Sequence, residues 1–589
     1  MAFLSSKAPG VQVREIDLTG SVQAIGTSAA AIVGDFTWGP VDVRTQISNS
    51  GELVSTFGKP TDRNYIGWLS ASNFLSYSGM LYVVRVVDND ALNATADAGL
   101  LIKNEAAFNA LNDGATHIGK RFAARYPGAL GNSLAISIAD IQSYDKWQYA
   151  NEFDAAPGTS EYAQSVGAKY DEVHIVVIDK LGEFTGTPGA ILERYAFLSK
   201  ASDAKQLDGA PAFFGQVINQ QSQYVWYFGA PDTDAYDEAY DSNSATTEWG
   251  KKLVISGQPQ KFKVLKANAT DNHNACFFEL KNGADGAQPD QNELIEGWSL
   301  FQSVEEIDVG ILITGDGGGE TSHTRVVQYI IDNICEKRKD CVVVYSPKKS
   351  DVTNKTQSQA VTAILATRNA VGRSSSYAVM DSGWKLMYDV YNDKNRWVPL
   401  NSDVAGLMAA TENDYDAWWS PAGFNRGKIK NVISLAFNPN SDSRDNLYKQ
   451  QVNSVVTFVG DGTILYGDKT QQAKASAFQF INVRRLFITL KKSISKSSRY
   501  VLFEFNDEFT RGQFKALVDP FLREVKGRRG INDYRTICDK SNNTPDVVDR
   551  GEFVAAIFVK SARSINWVRL DLVNTRNGMS FSEAVGYGG

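Results

Sequence analysis

The stretch Val309–Pro347, "VGILITGDGGGETSHTRVVQYIIDNICEKRKDCVVVYSP", decides the fold class. It opens on a short unbroken apolar run, Val309–Ile313, closed by Thr-Gly-Asp-Gly. A run that short, without alternation and ended by glycines, reads as a strand buried on both faces. Farther on, Val327, Ile330, Ile331 and Ile334 recur at helical spacing and share one face. Lys337, Arg338 and Lys339 fall in the last turn of that helix, where cations complement its dipole. Cys341–Tyr345 is a second unbroken apolar run. Strand, helix and strand in that order give a parallel pair joined by a helical crossover.

The same alternation appears on either side. "TSAAAIVGDFTWGP" (Thr27–Pro40) reads as a buried strand ending in a Gly-Pro turn, "NYIGWLSASNFLSY" (Asn64–Tyr77) as a helix with Trp68, Leu69, Phe74 and Leu75 apolar, and "LYVVRVV" (Leu81–Val87) as a buried strand. "SQAVTAILATRNA" and "SSYAVM" (358–380) continue the pattern, so the sheet is mainly parallel and covered on both faces. Residues 88–290 differ. "GNSLAISIAD", "DEVHIVVID" and "QYVWYFG" are strands, but the stretches between them are rich in Asp, Gly, Asn and Thr, as in the acidic "DTDAYDEAYDSNSATTE", which has no base. They read as an inserted, β-rich, more exposed module. From about 440 another α/β segment follows. "NSVVTFVGDGTILYGD" is a hairpin about a Gly-Asp-Gly turn, and "FTRGQFKALVDPFLREVKGRRG" an amphipathic helix interrupted by Pro520, with Phe514, Leu517, Val518, Phe521 and Leu522 on its apolar face. The fold class is therefore multidomain, α/β and α+β.

Both ends carry strand-like segments without an obvious partner: "PGVQVREIDL" (Pro9–Leu18) and "SINWVRLDLV" (Ser564–Val573). An unpaired strand leaves a row of open backbone donors and acceptors, so each needs a sheet to join.

At 589 residues the chain is too long for one core, and about 100–200 residues per domain suggests three or four. Its 67 acids against 60 bases leave a net charge of -7, which gives no overall basic field for nucleic acid. Four cysteines without a C-x-x-C pair fit a reducing compartment. The start "MAFLSSKAPG" has no apolar signal core, and no run approaches the ~18 apolar residues of a membrane span, so synthesis in the cytosol is expected.

Chemistry finds little purchase. His117, His174, His273 and His323 are scattered, which gives a metal cluster no support. Ser382 in "MDSGW" lacks the first glycine of a nucleophile elbow, and no Gly-Lys is followed by Ser or Thr after a phosphate-loop spacing. The most enzyme-like feature is "TGDGGGETSHT" (Thr314–Thr324), a glycine-rich link from strand to helix where a phosphate could meet backbone N–H groups. Glu320, however, replaces the last glycine of G-x-G-x-x-G with an acid. One reading is an enzyme binding a phosphorylated ligand there; the other is a plain flexible connection. Basic clusters at Arg484 and Arg485, at Lys491, Lys492, Lys496 and Arg499, and at Lys526, Arg528 and Arg529 are either solvated faces or one positive surface for an acidic partner.

"PGVQVRE", "TSAAAIVGDFTWGP", "LVSTFGKP", "LYVVRVVD", "ARYPGALGNSLAISI", "VVIDKLGEFTGTPGAILERY" and "NGADG", then "VPLNSDVAGLMAATE", "WWSPAG", "GDGTILYGDKT", "INVRRLFITLKKSI", "FEFND", "CDKSNNTPDVVDRGEF" and "SINWVRLDLV", span nearly the whole chain. In this order they resemble the contractile tail sheath proteins of bacteriophages. The resemblance implies a structural, non-enzymatic subunit without cofactor or metal. Such subunits would stack as rings around an inner tail tube and contract to drive it through a host envelope. It implies an inner assembly domain (1–22 with 441–589), a middle α/β domain (23–87 with 291–440) and an outer inserted domain (88–290), with a further outermost domain of larger relatives missing or vestigial. It also implies strands exchanged between subunits, carrying Val11, Val13 and Ile16 at one end and Ile565, Trp567, Val568, Leu570 and Leu572 at the other. Arg511, Lys515, Lys526, Arg528 and Arg529 become candidates for contact with the tube. Implied partners are further copies, the tail tube protein, and baseplate and tail terminator proteins, with no direct nucleic acid and no membrane. The location would be the virion, after assembly in the host cytoplasm. A sheath of a bacterial contractile injection or secretion system is the alternative of the same class.

Overall fold

The computed structural model describes residues 26–96, 99–112, 122–206, 208–228, 247–266 and 276–566. Its centre is a seven-stranded sheet: β1 Ala30–Gly34, β2 Thr45–Ile47, β3 Leu81–Arg85, β4 Ile311–Ile313, β5 Val342–Tyr345, β6 Ala378–Asp381 and β7 Val452–Asn453. They lie in the order β7-β6-β5-β4-β1-β3-β2, and every neighbouring pair is parallel except β2 with β3. β1, β4, β5 and β6 are buried at every residue, which is why their sequences are apolar without alternation. Helices Tyr65–Leu75 and Asn401–Asp414 pack on each other and on this sheet, and Gln291–Ser299, Gly319–Tyr329 and Gln357–Val371 form a second such group.

The crossover from β4 to β5 runs through Gly319–Tyr329, a π-helical turn at Ile330–Cys335, and Glu336–Arg338. Val327, Ile330, Ile331 and Ile334 are buried, as their spacing predicts. Arg338 does more than close the last turn of the helix. It is buried, bonds Asp340 at 2.9 Å and donates to the carbonyls of Phe301, Ser303 and Ile307. β7 lies beyond residue 441 and pairs with β6 at one edge of the central sheet.

The insertion carries its own antiparallel sheet, Phe277–Glu279, Leu134–Ala139, Glu172–Asp179 and Ala190–Ser199 in that order, over a core that includes Ile136, Ile138, Ile175 and Val177. Two arginines pin it to the end of the central sheet. Arg85, 1% exposed, donates to the carbonyls of Phe36 and Pro127 at 2.7 Å and of Gly39 at 2.9 Å. Arg63 bonds Asp35 at 2.7 Å and the carbonyls of Gly286 and Ala287. A buried guanidinium is tolerable where its several N–H groups all find acceptors, and here these come partly from the segment after β1 and partly from the insertion, at Pro127, Gly286 and Ala287.

A buried polar network stands at the C-terminal end of β6. Lys385 and Asp403, both without exposed side-chain surface, pair at 2.8 Å, and Tyr77 donates to the same carboxylate at 3.0 Å. Nearby, Asp381 accepts from Ser346 Oγ at 2.6 Å and from Gly383 N at 2.9 Å. Burial raises Asp381 to about 8, against the hydrogen bonds from Ser346 and Gly383. A carboxyl whose folded pKa is raised holds its proton more tightly when folded. Its contribution is therefore complete below its unfolded value near 4 and is lost as pH rises through 8. The intact chain should lose stability between pH 5 and 8, whereas Asp381→Asn should lose less and exceed it at pH 8 by on the order of a few kcal/mol. Thermal melts of both proteins across that range check this; parallel pH profiles would count against it.

Candidate assembly interface

The C-terminal part of the chain builds a separate small core. Helix Glu508–Gly527 buries Phe514, Val518, Phe521, Leu522 and Val525, and helix Ile481–Ser498 adds Leu486 and Leu490. The long helix is not interrupted by Pro520. That residue and Ala516, whose carbonyl loses its i→i−4 donor, are both exposed, so the missing bond falls on the outer face of the helix. Against this core lies a two-stranded antiparallel sheet, Ile531–Ile537 with Ala556–Ser561, whose Tyr534, Ile557 and Val559 pack inward. Asn543 closes the long connection between these strands by bonding both the N–H and the C=O of Val554. Among the described residues no third strand pairs with either outer edge of this sheet.

Both chain ends leave the described fold from bonded anchors. At the N-terminal side Thr27 donates its N–H to Glu412 at 2.5 Å and its hydroxyl to the same carboxylate at 2.9 Å. Arg485, 2% exposed, bonds Glu412, Thr27 Oγ1 and the carbonyl of Met408. One buried cation thus ties Thr27 to helices Asn401–Asp414 and Ile481–Ser498. At the other end Ser564 donates to Asp468 at 2.7 Å, and Asn566 donates to Asp468 and to the Tyr448 hydroxyl. Ile565 between them is 84% exposed. Val11, Val13, Ile16, Trp567, Val568, Leu570 and Leu572 lie outside the described residues.

The basic clusters are largely engaged within the subunit. Arg485 is the buried clamp just described. Arg484 stacks on Tyr377 and Phe478 at 4.2 and 4.1 Å, Lys491 bonds the carbonyl of Arg338, and Lys492 pairs with Asp308. Of the five tube candidates, Arg511 is 7% exposed and holds Asn506 through its side-chain oxygen and carbonyl, which leaves it no surface to offer. Lys526 pairs with Asp533 at 3.1 Å, and Arg528 with Asp416 and Glu524, each about half exposed; Lys515 is half-buried and Arg529 exposed.

The glycine-rich connection lies where the order of the central sheet reverses, at the C-terminal ends of β1 and β4, beside a cleft of about 370 Å³. Gly315, Gly317, Gly318 and Gly319 all have φ between 59° and 85°, so the loop uses a left-handed backbone that side chains resist. Its polar groups are matched within the fold. Asn401 donates to the Gly315 carbonyl at 2.6 Å, Lys348 to the Glu320 carbonyl, and the Glu320 carboxylate accepts from Ser350 N and Oγ. Asp35, Asp62, Asp316 and Glu320 line the cleft together with Arg63, Lys348 and Lys349, and Arg63 is already paired with Asp35 and Lys348 with the Glu320 carbonyl.

Residues 301–471 match the phage tail sheath protein central domain, and 473–572 match the phage tail sheath C-terminal domain. The tail sheath protein of Enterobacteria phage T4 is 33% identical over 668 aligned positions, covering 99% of both chains. That of Vibrio phage KVP40 is 32% identical over 676 positions, covering 98% of this chain and 99% of its own. The chain belongs to the phage tail sheath family. A sheath tail protein of Listeria innocua shares the fold at a TM-score of 0.52 and 10% identity, covering 92% of this chain and 96% of its own. The helical sheath of the anti-feeding prophage in its contracted state does so at 0.51 and 12%, covering 97% and 100%. The sheath proteins matched are structural proteins rather than enzymes, which removes the phosphate-ligand reading of Thr314–Thr324. Because 668 aligned positions exceed this chain's 589 residues, the T4 sheath protein carries residues that this one lacks. The arm-base clamp of Thr27, Glu412 and Arg485 was missed from sequence. Glu412 and Arg485 sit within matched stretches, but nothing local marks them as partners.

Proposed function

We propose that this chain is the structural subunit of a phage's contractile tail sheath. It polymerises as stacked rings around the inner tail tube and contracts to drive that tube through the host envelope. The observation that carries the reading is the pairing of two anchored chain ends with a two-stranded C-terminal sheet whose edges are open among the described residues. The N-terminal arm with Val11, Val13 and Ile16, and the segment of Ile565, Trp567, Val568, Leu570 and Leu572, each add a strand to that sheet in a neighbouring copy. Main-chain hydrogen bonds make the link and alternate side chains set its register. The C-terminal core forms the inner domain, the central sheet the middle and the insertion the outer. Lys515, Lys526, Arg528 and Arg529 are the charges the inner domain turns to the tube, and Arg511 supports their helix from within. The other partners are baseplate and tail terminator proteins, the location is the virion, and assembly takes place in the host cytoplasm. No described helix is long and apolar enough to cross a membrane.

The sheath of a bacterial injection device is a second reading, favoured by the shared fold with the anti-feeding prophage. Near full-length identity of 33% with a phage sheath protein favours the first. Negative-stain electron microscopy of the concentrated protein, alone and with tube and baseplate proteins, tests the proposal. Hollow striated tubes are expected; discrete globular particles in every mixture would overturn it.

A further inference from the structure

We propose that the exposed aromatic stretch Tyr500–Phe509 is the resting site of the chain's own N-terminal arm, residues 1–25, in the free subunit. Tyr500 is 78% exposed, Leu502 63%, Phe503 105%, Phe505 84% and Phe509 71%. Single exposed apolar residues are ordinary, but five large ones within ten residues form a patch of the kind that marks a docking surface. The segment is held rather than loose. Asn506 donates to the Glu552 carbonyl at 2.7 Å, Arg511 donates to Asn506 Oδ1 at 2.8 Å, and Asp507 caps the following helix through Thr510 N at 2.8 Å. Phe503 takes a φ of 71°, a left-handed backbone that a bulky residue rarely adopts, so the surroundings impose that conformation while its ring stays in water.

The arm is the segment suited to cover it. It carries Phe3, Leu4, Val11, Val13, Ile16 and Leu18, while Lys7 and Arg14 are balanced by Glu15 and Asp17, so its match to the patch is apolar. Its base is fixed at Thr27 by Arg485, and helix Ile481–Ser498 runs from that clamp to the patch, about 20 Å at 1.5 Å per residue. Twenty-five residues reach up to ~80 Å when extended, so the distance is met with slack. Tethering also gives the arm a local concentration on the order of millimolar, above that of a second copy in dilute solution. Burial of the rings and the entropy lost in ordering the arm oppose each other at similar size, so the contact is reversible. Reversibility suits an arm that must be released to a neighbour on assembly, and the proposal rests on that reading of the arm.

The test is a full-length chain carrying photoreactive benzoyl-phenylalanine in place of Phe503, irradiated at submicromolar concentration and mapped by mass spectrometry. The expected product is an intramolecular cross-link into residues 1–25. In parallel, a chain lacking residues 1–20 should bind an apolar fluorescent dye several-fold more strongly than the intact chain, and Phe503→Ser with Phe505→Ser should abolish the excess. Cross-links confined to a second copy or to other parts of the same chain, or equal dye binding with and without the arm, would overturn the resting site. If the intact chain forms tubes and the truncated one does not, while no cross-link to the arm appears, the resting site falls and arm exchange stands.

Discussion

A subunit lacking residues 1–20 should fold as stably as the intact chain and yet form no tubes at any concentration. The first described strand begins at Ala30, and the clamp that fixes the base of the arm begins at Thr27, so the truncation leaves every buried contact of the central sheet in place. Melting temperature should change by no more than about 2 °C, since surface changes away from buried contacts are usually worth ~0.5 kcal/mol or less. Polymerisation should be lost altogether. A helical lattice held by strand addition from both segments needs each copy to donate both, and a subunit with no arm still offers its C-terminal segment but leaves one of the two strands of every link missing. Sedimentation velocity and electron microscopy of the two proteins under identical conditions read this directly. Striated tubes from the truncated protein would show that the arm is not the intersubunit link.

The expected phenotype separates folding from assembly, and the sequence is unevenly informative about the two. Folding is legible where burial is extreme. β1, β4, β5 and β6 are buried at every position and so appear as unbroken apolar runs, while Val327, Ile330, Ile331 and Ile334 mark the buried face of the crossover by their spacing alone. β2 and β7, of three and two residues at the sheet's two edges, are too short to carry any period. The arginines show a different limit. Arg338 reads as a cation set against a helix dipole, Arg485 as part of a solvated or partner-facing cluster and Arg511 as a candidate for the tube, yet all three are buried. Glu412 lies 73 residues from Arg485, and the Phe301 and Ile307 carbonyls more than 30 from Arg338, so only the folded chain brings these acceptors to the guanidinium. The continuity of the long helix through Pro520 is of the same kind, because what rescues it is solvent exposure, a tertiary property.

The buried clamp also yields the largest expected loss of stability from a single substitution. Arg485→Met should destabilise the subunit by about 3–5 kcal/mol, because it strands the Glu412 carboxylate and leaves the Met408 carbonyl and the Thr27 hydroxyl without their cation. Taking roughly 2–4 °C per kcal/mol for a domain of this size, the melting temperature should fall on the order of 10 °C. Methionine refills much of the volume, so the loss measures the unpaired acid more than a cavity. Adding Glu412→Leu should then restore most of the stability, since removing both charges avoids the cost of desolvating either. Thr27 would still lose its acceptor in the double variant, and the base of the arm would be free on an otherwise stable subunit. Stability should therefore recover in the double variant while tube formation stays impaired, which ties the clamp to placement of the arm. A double variant as unstable as the single would mean that Arg485 acts through packing of its aliphatic stem rather than through its charge.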